Sequence, residues 1–283
     1  MSSVVMPFKS NRVLFCTFIT KIVRPMKKIL PILLFLISMH TSYAQWIHEW
    51  SMGYAFSDPT GKMKQNINQG HGIVMDFHLV SPSEKYSFGA DLNYSIYGYD
   101  QSRQQYMFPD GTTADMDINV TNSFMNLMAS GRYNLLTGKQ LIPYVGAKAG
   151  YSWFRTDLNI YDPDDLDNCK PVETDLLQKD GTWIYSIGGG LKYDLSSVFK
   201  KLKNGSMFIN LSAYYTQGGA VNYMNADAPD MHHATSPPNR TSDVEAEFIN
   251  TQTQVVHKHH VGYVYSSFSK MMDYRLTFTF RKK

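Results

Sequence analysis

Trp46–Phe56 alternates without interruption. Its even positions (Trp46, His48, Trp50, Met52, Tyr54, Phe56) are mostly large and apolar or aromatic, and its odd positions (Ile47, Glu49, Ser51, Gly53, Ala55) are mostly small or polar. A period of two sends the two sets to opposite faces of a strand. Ten steps of about 3.3 Å, tilted by about 45°, advance roughly 23 Å, close to the roughly 25 Å apolar band of a membrane-spanning barrel. The same pattern predicts strands at Gly72–Val80, Tyr86–Tyr97, Asn122–Tyr133, Ile142–Phe154, Thr182–Asp194, Met207–Thr216 and Lys270–Phe280. Large apolar residues outward and small or polar ones inward suit strands between lipid and a filled lumen.

The connections support this reading. Brief links (Ser81–Lys85, Asn134–Leu141, Leu195–Ser206) alternate with long ones (Ser57–His71, Gly98–Thr121, Arg155–Gly181, Gln217–Ser269). Short periplasmic turns and long extracellular loops are the habit of such barrels. The expectation is an all-β fold: an eight-stranded antiparallel up-and-down transmembrane β-barrel over residues 45–283. Ten strands are the alternative, because Val261–Phe268 either extends the last strand or belongs to an extra hairpin.

Residues 1–44 read as an upstream extension followed by a signal peptide. Met26-Lys27-Lys28 is basic, Ile29–Ile37 is apolar, and Ser42 and Ala44 stand at the cleavage-determining positions before Gln45. Nine apolar residues are too few to span about 30 Å of hydrocarbon. The charge changes with cleavage. Six of the 27 basic residues (Lys9, Arg12, Lys21, Arg24, Lys27, Lys28) and none of the 24 acidic ones lie in this segment, so 27 − 6 = 21 bases remain against 24 acids, a net −3. That balance gives no support to a nucleic-acid partner. Only Cys169 remains after cleavage, which excludes an intramolecular disulfide. Aromatics at 14% with charged residues at 18% suit aromatic girdles around a barrel.

Pro143-Tyr144-Val145-Gly146-Ala147, the Gly188-Gly189-Gly190-Leu191 run and the aromatic last strand, behind the export signal, resemble the outer-membrane β-barrel protein family. The similarity is to its small eight-stranded type, related to the OmpA transmembrane domain and to OmpX. It implies an outer-membrane location and a role as structural anchor, adhesin, narrow channel or accessory part of a secretion machine. The family usually ends on an aromatic residue, whereas Phe280 is followed here by Arg281-Lys282-Lys283.

Strand parity directs Glu49, Asp76, Asp91, Arg132, Lys148, Lys192 and Arg275 into the lumen, with Asn93, Asn126 and Asn210. An eight-stranded barrel is just wide enough to be filled by side chains, so these charges are expected to pair as a plug rather than line a narrow ion path. Glu49 and Arg275, on the first and last strands, are expected to pair across the closing seam. His232-His233 and His257, His259 and His260 are expected to be solvated loop histidines rather than metal ligands. Asp162–Asn168 lacks the glycine and distal Glu of a calcium loop and reads as a hydrated acidic loop. His71, Ser51 and Ser57 lie near the first loop, but no arrangement singles out a nucleophile. The expected protein is monomeric, has no cofactor or enzymatic activity, and meets outer-membrane lipid and a surface or secretion-machinery partner through its loops.

N-terminal sequencing of the membrane-extracted protein is expected to begin at Gln45. A start before Met26, or recovery in the soluble periplasmic fraction, would contradict this.

Overall fold

The computed structural model describes residues 46–107, 111–163, 171–195, 205–225, 240–250 and 255–282. The strands are β1 (Ile47–Pro59), β2 (Gly70–Val80), β3 (Tyr86–Met107), β4 (Thr113–Asn134), β5 (Leu141–Tyr161), β6 (Glu173–Asp194), β7 (Gly205–Asn225), β8 (Arg240–Asn250) and β9 (Val255–Lys282), with one short 3₁₀ turn at Met63–Gln65. Each strand pairs antiparallel with the next through β7, β7 pairs with β9, and β9 pairs back with β1. Eight strands close the wall, so every edge inside the apolar band is satisfied.

The ten-strand alternative fails for a geometric reason. β8 pairs with β9 from Tyr265 to Val255, on the edge that β1 vacates at Met271. It therefore continues the wall above the apolar band beside β3 and adds no strand to the closed ring. Most strands also run further than the alternation alone indicated. Much of the expected second loop, Gly98–Thr121, is a continuation of the β3–β4 ladder to Met107↔Thr113. Polar outward residues end the apolar band there without ending the hydrogen bonding.

Following register partners around the wall measures the stagger. Glu49 leads to His78, Gly89, Ser130, Lys148, Ser186, Thr216 and Met271, and returns to β1 at Pro59. The circuit climbs from residue 49 to 59, a stagger of ten residues. Ten steps of about 3.3 Å over eight spacings of about 4.8 Å tilt the strands by about 40°. Outward residues form the belt, including Trp50, Phe88, Leu127, Trp183 and Phe280, all exposed. Along the axis Tyr86 and Trp183 lie about 25 Å apart at this tilt, the thickness of an outer-membrane apolar band.

The seam is directly testable. The hydroxyls of Ser51 and Thr279 lie 2.8 Å apart across β1 and β9. Ser51→Cys with Thr279→Cys is expected to form a disulfide under mild oxidation, giving a closed ring that migrates faster after boiling than its reduced form. Equal mobilities would contradict the register.

Candidate functional site

The lumen is the most chemically loaded part of the molecule, and the stagger sorts it into levels. Each strand crossed lifts the register line by ten-eighths of a residue. Asp91, Lys148 and Arg275 come from β3, β5 and β9, yet all fall about 4.5 to 5 residue steps above Glu49. There Asp91 accepts from Lys148 Nζ at 2.7 Å and from Arg275 Nη1 at 2.5 Å. At the lowest level Glu49 accepts from Lys192 Nζ at 2.7 Å and from Arg281 Nε at 2.9 Å. Arg281 also reaches Glu84, in the turn between β2 and β3, at 2.9 Å. Between the two levels Arg132 lies 3.1 Å from Asp76.

All seven lumen residues named from the sequence thus sit inside the wall, none more than 5% exposed. The expected pairing of Glu49 with Arg275 is not formed. Across the seam Glu49 faces Arg281, while Arg275 faces Ala55. The stagger places Arg275 about 12 Å above Glu49 along the axis, beyond side-chain reach. The sequence reading also stopped the last strand at Phe280 and so passed over Arg281. It overlooked inward Asp273, whose carboxylate accepts from Ser57 Oγ at 2.5 Å and from Thr216 Oγ1 at 2.6 Å. Both lie on the parity of Arg275, two and six residues away, so the alternation contained the signal.

Tyrosines complete the packing. Lys148 Nζ stands 4.0 Å over the Tyr214 ring, and Lys192 and Arg132 lie 5.6 and 5.3 Å from the Tyr144 centroid. The glycine run of β6 makes room for these rings. A Cβ at Gly188 would approach the Tyr214 ring to 2.8 Å, and one at Gly190 the Tyr144 hydroxyl to 2.7 Å. Above the ions, Ser57, Asp273, Thr216 and Ser186 form a hydrogen-bonded chain. Higher still Tyr97, Phe124, Phe154 and Tyr223 pack together under Met63 of the 3₁₀ turn. Asn66 fastens that turn, donating to the Tyr223 hydroxyl at 2.9 Å.

One constellation resembles hydrolytic machinery. Ser130 Oγ lies 2.9 Å from His78 Nε2, and Asp76 is 3.7 Å from the same nitrogen. An activated serine needs the acid on the opposite ring nitrogen, to hold the tautomer. Here Nδ1 has no hydrogen-bond partner and His78 is fully buried, so the geometry is that of a packed polar core. His71, on the outer wall, meets Tyr54 at 2.5 Å, while Ser51 and Ser57 face the lumen. Gly188–Gly190 lies within β6.

No cluster of three potential metal ligands occurs among the described residues. The backbone of His257, His259 and His260 lies in β9, but their side chains, His232-His233, Cys169 and most of Asp162–Asn168 lie outside the described residues. Above the band, the Arg103 guanidinium grips Asp117 at 2.7 and 3.0 Å and holds its carboxyl below the ordinary value.

Removing one member of an ion cluster strands its partners. Asp91→Asn is expected to cost on the order of 3 kcal/mol, because two buried cations lose their counter-charge. In urea unfolding from vesicles, Glu49→Gln with Arg281→Met should cost less than the sum of the single changes, while Glu49→Gln with Arg275→Met should be additive. Coupling in the second pair and none in the first would overturn the register.

No family model matches the chain, and neither does any curated protein sequence. Among solved structures, the chain is similar to Neisserial surface protein A, with 10% identity over 85% of this chain and 97% of that one and a TM-score of 0.37. It is similar to Ail, the attachment invasion locus protein of Yersinia pestis, with 9% identity over 84% of this chain and 99% of that one and a TM-score of 0.38. The outer membrane protease OmpT from Escherichia coli matches at 10% identity over 84% of this chain and 96% of that one, with a TM-score of 0.28. The closed eight-stranded antiparallel barrel of the present chain rests on its own strand register.

Proposed function

We propose that the protein is a monomeric, non-enzymatic outer-membrane barrel with a sealed lumen, acting through its extracellular wall in a structural or surface-interaction role. The observation that carries this is the interlocking of buried charges. Asp91 and Glu49 each bind two cations, and an aromatic layer closes the bore above them. A hydrated ion would have to break several charge-assisted bonds in succession, each worth more than a neutral one. Chemistry on a substrate needs an accessible reacting group, and His78 and Ser130 have almost no accessible surface. By contrast β3, β4, β5, β6 and β9 extend well past the apolar belt, presenting polar and charged side chains such as Asp100, Arg103, Glu173 and Lys179. Such a wall suits contact with a surface or secretion-machinery protein.

A small channel is the second reading, because inward positions are polar along much of the bore, from Glu49 to Thr156. Planar-bilayer recording of refolded protein separates the two. No stable openings are expected, and stable openings in most insertions would overturn the sealed lumen.

A further inference from the structure

The outer wall at the closing seam carries an arrangement that the lumen does not explain. β9 turns Lys270 toward the membrane side, since its neighbours Ser269 and Met271 are buried inside. Lys270 stands on the same face as exposed Phe268 and Tyr274, a cation within an otherwise apolar and aromatic column. The loop after β1 adds Lys62 and Lys64, both exposed, and its chain passes close by. Thr60 N–H donates to the Lys270 carbonyl at 2.9 Å, and a Cβ at Gly61 would lie 4.0 Å from the Lys270 side chain. The acid described beside these lysines is Asp58, 3.7 Å from Lys64. The patch keeps a positive surplus.

Directly below it the chemistry changes in the order of a lipid. First come Tyr54 and His71, joined at 2.5 Å, with Phe56 and Tyr274 packed beside them. Tyr54, Phe56 and Tyr274 then form the upper end of a groove of about 490 Å³ on the outer wall. The groove continues down past Leu276 and Leu211 over a floor made shallow by Ala213 and Gly189. Lysine stems cover apolar surface while their ammonium groups rise to the headgroup layer. Rings with one polar tip favour the membrane–water boundary.

We infer that this seam is a binding site for an outer-leaflet lipid whose phosphate headgroup carries a net negative charge. Its headgroup is held by Lys62, Lys64 and Lys270, and an acyl chain lies in the groove beneath Tyr54 and Tyr274. Charge complementarity selects the headgroup, and the groove's place beneath the cation patch on the same two strands, β1 and β9, selects a lipid over a free anion. The inference rests on the membrane reading of the barrel above.

The test uses full-length protein refolded into phosphatidylcholine vesicles doped with either phosphatidic acid or diacylglycerol, which differ only by the phosphate. Lipid retained after detergent extraction is counted by native mass spectrometry. Wild type is expected to retain phosphatidic acid over diacylglycerol by about tenfold or more. The combined Lys62→Ala, Lys64→Ala and Lys270→Ala variant should lose that preference, and Ala213→Trp should lower retention by filling the groove. Lys139→Ala, in the turn between β4 and β5 across the ring, should change nothing. Equal retention by wild type and the triple variant would overturn the site. So would retention abolished by inorganic phosphate but unaffected by Ala213→Trp, which marks a bare anion patch. Each sample is first checked for the heat-dependent gel shift of a folded barrel. Failure of wild type to insert and show that shift counts against the membrane reading, whereas loss of lipid preference in an inserted barrel counts against this site alone.

Discussion

Closure with a ten-residue stagger governs the whole interior of this barrel. Once β9 meets β1 with Met271 beside Pro59, every inward side chain has a fixed height on the axis. That height decides which charges meet. Asp91, Lys148 and Arg275 are scattered over nearly two hundred residues, yet the tilt brings them to one level. A slip of two residues at the seam would keep the inward parity and still separate Glu49 from Arg281. The ion pairs therefore distinguish between registers that the apolar pattern alone treats as equivalent.

Energetically these clusters are better understood as specification than as a source of net stability. Desolvating two ions costs about as much as their attraction returns, while removing one partner leaves an uncompensated charge. Misregistered barrels would contain several such charges. The two buried tyrosines add to this discrimination. Tyr144 and Tyr214 lie among the cations only because Gly146, Gly188 and Gly190 leave the wall bare where the rings cross. A side chain larger than hydrogen at Gly188 would meet the backbone carbonyl of Ala213 as well as the Tyr214 ring. Small residues on the wall and large ones in the bore are one packing solution.

The wall divides the remaining work by height. Within the apolar band it is continuous and closed. Above the band β1 and β2 stop, β8 takes the edge of β9 that β1 leaves, and β6 and β7 part after Ile184↔Gly218. At that parting Gly218 and Gly219 form a bulge, and the Asp180 carboxylate accepts the Asn222 N–H at 2.8 Å. A side chain thus takes over from the ladder where regular pairing ends. The part above the apolar band can vary in outline because backbone groups there can also be satisfied by water, whereas groups behind an apolar surface must pair within the wall.

The strands in the band, their inward and outward faces and the alternation of short and long connections were legible along the chain. Those properties depend on a period of two and on turn composition, both local. Glu49, Asp76, Asp91, Arg132, Lys148, Lys192 and Arg275 were legible as inward for the same reason. Which of them meet was not legible, because partners come from strands far apart in the chain and their levels depend on the stagger, a property of the closed ring. Hence Glu49 pairs with Lys192 and Arg281 rather than Arg275. The outward extension of β3 and β4 was equally hidden, since polar residues on both faces of a ladder in water leave no apolar alternation to read. The sequence supplied the faces of the strands; closure of the ring assigned their heights.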